Sequence, residues 1–449
     1  MHLRIIPVST RCLSESWLAR LITGGGKAAI IQAGGMLLTF AVNILLARTA
    51  GVDGYGVYSF VLALASFAAV CGRLGLDTAV IRFVPQYVAT CDWAALKGLL
   101  KSSILLVTLV SLLSAIVVGA IVFLMRRWSV EESGLIALAL ILLVPGLALT
   151  QLTQGLLRGF YWTGRAMVGD NIIRPLLLAL FVIIGWRVYV PTMPATGLLL
   201  SLASATCLSA VITWTWVQKA GNRLIPPNTR TIYANYRWLK VALPLFGLGA
   251  LNVVLARADV VLVGVLSSAR EVGYYAVAAR VAVLISFVLG ALNVIVAPMI
   301  SDMYASSRHQ EMRNLLNITV RVGSLGGIAV AVTFLFLGDW LLNWFGVGFE
   351  AGWKPLMVLS LGQIINVAYG PVGYLLAMTG SHREAFWILV QGAVLNVVVG
   401  IAGVLLWGAV GAALATSLAM IWWNVAMSRH VGKRFGFWII PFYGIRDNR

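Results

Sequence analysis

The chain has 449 residues, of which 60% are hydrophobic and only 11% charged, with a formal net charge of +18. A water-soluble chain carries charge on about a quarter of its residues, so this composition excludes a soluble globular protein. The basic residues are dealt out loop by loop rather than gathered on one aromatic-studded surface, which excludes a nucleic-acid partner.

Residues 1–27 lack the pattern of a cleaved signal peptide, because the apolar run after Arg4 breaks at Pro7. Leu13, Trp17, Leu18, Leu21 and Ile22 fall on one side of a helix with Arg11, Arg20 and Lys27 around it. That pattern predicts an interfacial helix within a cytoplasmic tail. A bilayer span takes about 20 mostly apolar residues. Runs of this kind lie near 28–47, 57–76, 102–124, 135–156, 166–186 and 196–217. A polar segment, 218–240, with Pro226 and Pro227, reads as a cytoplasmic linker. A second set of runs lies near 241–265, 273–300, 318–338, 355–377, 384–406 and 409–428, followed by a basic tail over 429–449. Most of the 33 Lys and Arg fall on one side of this arrangement. The positive-inside rule then puts both termini in the cytoplasm of a multi-pass plasma-membrane protein, a bacterial inner membrane.

The two sets of six are related. Asn43-Ile-Leu-Leu-Ala-Arg48 is matched by Asn252-Val-Val-Leu-Ala-Arg257, and Gly56-Val-Tyr58 by Gly273-Tyr-Tyr275. Thr163-Gly164 and Gly197 recur as Thr379-Gly380 and Gly411, in the same order. Same-direction repeats of six helices imply two bundles related by an axis along the membrane normal, with a site between them. The expected fold is an all-α membrane protein of about 12 transmembrane helices. Residues 28–217 and 241–428 form six-helix bundles with pseudo-two-fold symmetry around a central cavity.

Polar stripes mark candidate lining residues. Gln32, Thr39 and Asn43 share a face of the first helix, Gln151, Gln154 and Arg158 one of the fourth, and Gln363, Asn366, Gly370 and Tyr374 one of the tenth. Interhelical hydrogen bonding accounts for many such residues without any ligand. Charges within spans cost about 2.5–3.5 kcal/mol each at the bilayer centre and need a partner or water. Asp170 and Arg174 are four apart and can pair. Arg257 and Asp259 are two apart, roughly 200° around the axis, so only one can face a given cavity. Arg280 has no acidic residue at helical spacing and is the first candidate for a binding cation. The full set of cavity candidates is Arg257, Arg280, Arg174, Asp259, Asn43, Gln32, Gln151, Gln363 and Asn366. The four Cys and four His show no metal-ligand spacing, and neither a Walker A loop nor a nucleophile motif is present. No catalysis, metal or cofactor is expected.

Leu46-Ala-Arg-Thr-Ala-Gly-Val-Asp-Gly-Tyr-Gly-Val-Tyr58 resembles the opening signature of the polysaccharide transporter family, the Wzx-type oligosaccharide flippases of the multidrug/oligosaccharidyl-lipid/polysaccharide exporter superfamily. Leu74–Arg82, Ala242–Phe246, Arg257-Ala-Asp259, Val272–Arg280, Phe345–Phe349 and Leu376–Gly380 are similar to later segments of that family. The resemblance implies a flippase that carries polyprenyl-pyrophosphate-linked oligosaccharide repeat units to the outer leaflet by alternating access, for exopolysaccharide, capsule or O-antigen. It also implies membrane lipids and assembly proteins such as a polysaccharide polymerase as partners. Arginine suits such cargo because it recognises phosphate oxygens with a planar fork. The alternative is a drug or cation antiporter of the same superfamily, which would place carboxylates in its cavity. A membrane-embedded glycosyltransferase would need a long catalytic loop, and the connections here are short.

Overall fold

The computed structural model describes residues 16–125, 130–188 and 193–447, with side chains between residues 31 and 444 of these ranges. Arg4, Arg11 and Leu13 of the expected interfacial helix, Arg126 and Arg127, and Arg449 lie outside the described residues. From Ser16 the backbone is helical straight into the first span, and the helix runs to Arg73 with one interruption, at Gly51 (φ 69°, ψ 179°). A straight helix of that length would measure roughly 85 Å, against a hydrocarbon core of about 30 Å. The chain instead turns back at Gly51, where a side-chain-free residue takes up positive φ. The Tyr55 hydroxyl consequently donates to Asn43 Oδ1 at 3.2 Å, although twelve residues of straight helix would separate them by about 18 Å.

The segments are therefore α1 (16–50) and α2 (52–89, bent at Leu74 and Gly75), then α3 (Trp93–Leu124) and α4 (Val130–Gly159). α5 (Thr163–Val188) contains a π-helical turn at Gly169–Ile173, and α6 (Ala195–Asn222) completes the first lobe. The second lobe has α7 (Asn235–Leu266), α8 (Ala269–Ala305, with a 3-10 turn at Val283–Ser286) and α9 (His309–Asn343). α10 is a pair, Phe349–Ala368 and Val372–Met378, bent by 43°. The last helix, His382–Phe435, is broken at Trp407 and Gly408 into α11 (382–407) and α12 (409–435). Nine helices among the described residues are long and apolar enough to cross a membrane, and the bent pair is a tenth. The turns at Gly51 and Trp407–Gly408 divide two of them and bring the spans to twelve.

Lipid-facing surfaces are apolar, as on α3 (Leu105, Leu109, Leu113, Ile116) and α9 (Leu325, Leu335, Phe336). No hydrophobic force draws helices together in lipid, so packing relies on small residues and polar contacts. The α11–α12 hairpin illustrates this. A Cβ on Gly403 would meet Gly411 backbone, and one on Gly411 would meet Gly403 backbone. Asn396 Nδ2 donates to Thr416 Oγ1 at 3.3 Å two turns further down. Gly411→Leu must splay this hairpin. We expect several-fold less full-length protein in the membrane, read by fluorescence-detected size exclusion, since 1–2 kcal/mol of destabilisation already changes abundance that much. A wild-type profile would show that the close approach is dispensable.

The ends of the bundle carrying residues 222–235 and 435 will be called the linker end, and the opposite one the far end. The segment read as a linker straps the first lobe: Lys97 Nζ donates to the Thr229 carbonyl at 2.9 Å, and buried Trp238 donates to the Tyr87 hydroxyl at 2.9 Å. The tail read as merely basic folds into an antiparallel pair, β1 (Phe437–Ile440) and β2 (Gly444–Asp447), in which Phe437 faces Asp447 and Ile440 faces Gly444. Phe437 and Ile439 are buried against Ile300, Met312, Leu316, Leu375 and Val431, a second hydrophobic cluster at the linker end of the second lobe. Arg434 ties α12 to the end of α10 through the Thr379 carbonyl at 2.7 Å and the Ser381 hydroxyl.

Candidate functional site

A cavity of about 420 Å³ lies between the lobes. α1 contributes Thr39 and Asn43, α2 contributes Tyr58, Ser66 and Arg73, α4 Gln151, α5 Arg174, α7 Asn252 and Arg257, and α8 Arg280. Apolar residues such as Val42, Leu62, Leu147 and Leu202 complete the wall. No carboxylate is among the lining residues.

The four arginines are not equivalent. Arg73 pairs with Asp77 one turn on at 3.0 Å. Arg174 pairs with Asp170 at 3.0 Å across the π-helical turn, as their spacing requires. Arg257 makes no hydrogen bond or ion pair among the described residues, and Arg280 has no carboxylate partner there. Arg280 instead donates to Asn43 Oδ1 and lies 5.8 Å from the Tyr55 ring centroid. Two half-buried guanidiniums thus face the cavity without a counter-ion. An unpaired charge at membrane depth costs several kcal/mol unless water or an anion meets it, so this wall requires one or the other.

The geometric argument over Arg257 and Asp259 resolves in favour of Arg257. Asp259 points the other way and is 8% exposed. It accepts from the Tyr275 hydroxyl at 2.7 Å and from the Val260 amide at 2.8 Å. Of the other sequence candidates, Arg174, Asn43 and Gln151 line the cavity with Arg257 and Arg280, whereas Gln32, Gln363 and Asn366 do not. Gln363 accepts from the Ser286 hydroxyl, at the 3-10 turn of α8, and Asn366 accepts from Asn424 Nδ2 at 2.9 Å. Positive φ at Gly370 (63°) ends the first segment of α10 and carries Tyr374 off the stripe, while Gln363 and Asn366 stay together and face α8 and α12. Gln32 lines a separate groove of about 210 Å³ between α1 and α8, with Met36, Val283, Phe287 and Val294. Arg73, Ser66 and Asn252 belong to none of the polar stripes, and of the three only Asn252 carries a sequence signal, as the match of Asn43.

Seals between the lobes close the far end. Gly56 of α2 and its repeat partner Gly273 of α8 meet there: a Cβ on Gly56 would fall on the Ala269 carbonyl, and one on Gly273 on the Val52 carbonyl. Arg48 Nε donates to the Trp344 carbonyl at 2.6 Å. Phe40 packs edge-on to Phe345 at 5.5 Å and Tyr55 to Phe349 at 5.9 Å. Toward the linker end α2 and α7 still touch, at Gly75 against Ala242, while the α1–α8 side holds the groove.

A family model described as polysaccharide biosynthesis protein matches residues 23–304, more than half of the chain. Among curated proteins, the probable low-salt glycan biosynthesis flippase Agl15 of Haloferax volcanii is 24% identical over 398 residues, covering 88% of this chain and 79% of its own. Among solved structures, lipid II flippase MurJ in an inward closed conformation superposes with a TM-score of 0.70 at 17% identity, over 90% of this chain and 87% of that one. An inward-facing multidrug resistance MATE family transporter of the MOP superfamily gives 0.71 at 14% identity, over 90% and 98%. At such identities the two structures speak for the fold alone. On the family match, the chain belongs to the polysaccharide biosynthesis protein family, as a multi-pass membrane protein.

Proposed function

We propose that the protein moves polyprenyl-pyrophosphate-linked oligosaccharide repeat units from the cytoplasmic to the outer leaflet of the plasma membrane, supplying a surface polysaccharide. One observation carries the reading: the cavity presents two arginines without counter-ions, Arg257 and Arg280, and no carboxylate. A pyrophosphate matches that wall in charge and in its capacity for forked hydrogen bonds. Amide and hydroxyl groups of Gln151, Asn252, Thr39 and Ser66 are available to the sugars. The α1–α8 groove, apolar apart from Gln32 and Ser286, gives the prenyl chain a way to remain in lipid. Agl15, similar over 88% of this chain, is named as a probable glycan biosynthesis flippase, which agrees.

The linker end, with Arg158, Arg165, Lys219, Arg223 and Arg230, is assigned to the cytoplasm by the positive-inside rule. On that assignment the far-end seals support reading this as an inward-facing state. The antiporter reading is the weaker one, because its exchange chemistry needs a carboxylate in the cavity and Asp259 turns away toward Tyr275.

Deletion of the gene tests the assignment. Lipid-linked repeat units should accumulate in the inner leaflet, protected from externally added glycosidase, and surface polysaccharide should disappear. Normal surface polysaccharide combined with raised sensitivity to cationic drugs would transfer the assignment to the antiporter class.

A further inference from the structure

Arg280 stands between two partners. It belongs to the second lobe, through α8, and its guanidinium lines the cavity. Its hydrogen-bond acceptor, Asn43 Oδ1, belongs to the first lobe, through α1. Asn43 is 5% exposed and its amide is engaged at both ends: Nδ2 donates to the Thr39 carbonyl at 2.6 Å, and Oδ1 also accepts from Tyr55. Tyr55 in turn packs against Phe349 of the second lobe. The Arg280–Asn43 bond is therefore the cavity-side end of a chain of interlobe contacts that reaches the far-end seal.

We propose that Asn43 and Arg280 form a latch that a phosphate-bearing cargo head group releases. This rests on the functional reading above and adds how loading is coupled to opening. The amide oxygen of Asn43 is a neutral acceptor. A phosphate oxyanion entering the cavity adds the attraction of opposite charges, which the amide oxygen cannot offer Arg280, in a geometry that engages both arms of the fork. Arg280 leaves Asn43 for the phosphate, the Asn43–Tyr55 pair loses its tie to α8, and the seal loosens. With an empty cavity, or with a neutral occupant, the latch stays set. The same residue thus recognises the anion and reports its arrival, which makes opening selective for phosphate-carrying cargo. A ligand shifts a two-state equilibrium only by its differential affinity for the two states, and the exchange of Asn43 for phosphate supplies that difference.

The test uses the full chain in nanodiscs, with its native cysteines replaced by serine and spin labels at Asp53→Cys and Val347→Cys. Both positions are exposed and lie in different lobes at the far end. Probes are geranylgeranyl pyrophosphate and, as the neutral control, geranylgeraniol. In the wild type the label distance should lengthen with the pyrophosphate and not with the alcohol. Asn43→Ala should show the long distance without any probe. Asn43→Asp replaces the neutral acceptor with an anion, so it should stay closed until the pyrophosphate concentration is at least tenfold higher. The opposite signs separate a latch from a folding defect. If the pyrophosphate binds the wild type but both variants respond at the wild-type concentration, the latch is wrong and the functional reading survives. If the pyrophosphate does not bind at all by tryptophan quenching, both fall together.

Discussion

Replacing Arg257 and Arg280 together with glutamine is expected to abolish export of surface polysaccharide in a deletion strain, at normal membrane levels of the protein. On the proposed function a charged hydrogen bond from either guanidinium to phosphate is worth about 1.5–3 kcal/mol, so removing one is expected to cost roughly 10- to 150-fold in affinity. The single variants separate two roles. Arg257 makes no hydrogen bond or ion pair among the described residues, so Arg257→Gln breaks no interlobe tie and reads chiefly binding. Arg280→Gln also removes the bond to Asn43 and should raise the proportion of molecules open at the far end. Arg257→Lys keeps the charge without the fork and should fall between wild type and glutamine. Arg73→Gln and Arg174→Gln should lose less, because each arginine is already matched by Asp77 or Asp170. Full surface polysaccharide from the double glutamine variant would remove the arginines from the mechanism.

A comparably large effect is expected from Gly273→Val, for a steric reason. The Cβ alone would land on the Val52 carbonyl, and the two further methyl groups force α2 and α8 apart. The far end then cannot close, and a carrier fixed in one state does not cycle. Transport should drop at least about tenfold while insertion persists, and a thiol at position 53 should become permanently reactive toward a membrane-impermeant maleimide. Gly247→Val is the matched control, since a Cβ there has nothing within 4 Å; it should leave transport near wild type. Equal activity in the two variants would mean that the Gly56–Gly273 crossing does not form in the working cycle.

What the sequence disclosed follows the range of the interactions involved. Spans are legible because each is a local apolar run, and the Asp170–Arg174 pair because four residues make one turn. That Arg257 and Asp259 diverge follows from helical geometry, but which one faces the cavity depends on Tyr275, placed by a different helix. The Asn43–Arg280 bond joins residues 237 apart, and nothing local announces it. Gln363 and Asn366 look like cavity residues on an ideal α10, but their amides bond to Ser286 and Asn424 on other helices. The β1–β2 pair was within reach: Phe437-Trp-Ile-Ile440 followed by Pro-Phe-Tyr-Gly444 is a short strand and a turn. Its basic surroundings, which the topology rule explains so well, masked it.

The meeting of Gly56 with Gly273 on the pseudo-two-fold axis has a consequence for how the two halves can differ. In a symmetric dimer of identical six-helix units, every residue near the axis meets its own copy, and any substitution is made twice. One continuous chain lifts that restriction. Arg48 and Arg257 close matched sequence segments, yet Arg48 lies three residues before the turn at Gly51 and Arg257 ten before the end of α7 at Ser267, so the first holds the Trp344 carbonyl at the closed end while the second faces the cavity. A shift of about two helical turns between the halves thus lets one sequence pattern serve in two places, as a doorpost in one half and on the cavity wall in the other.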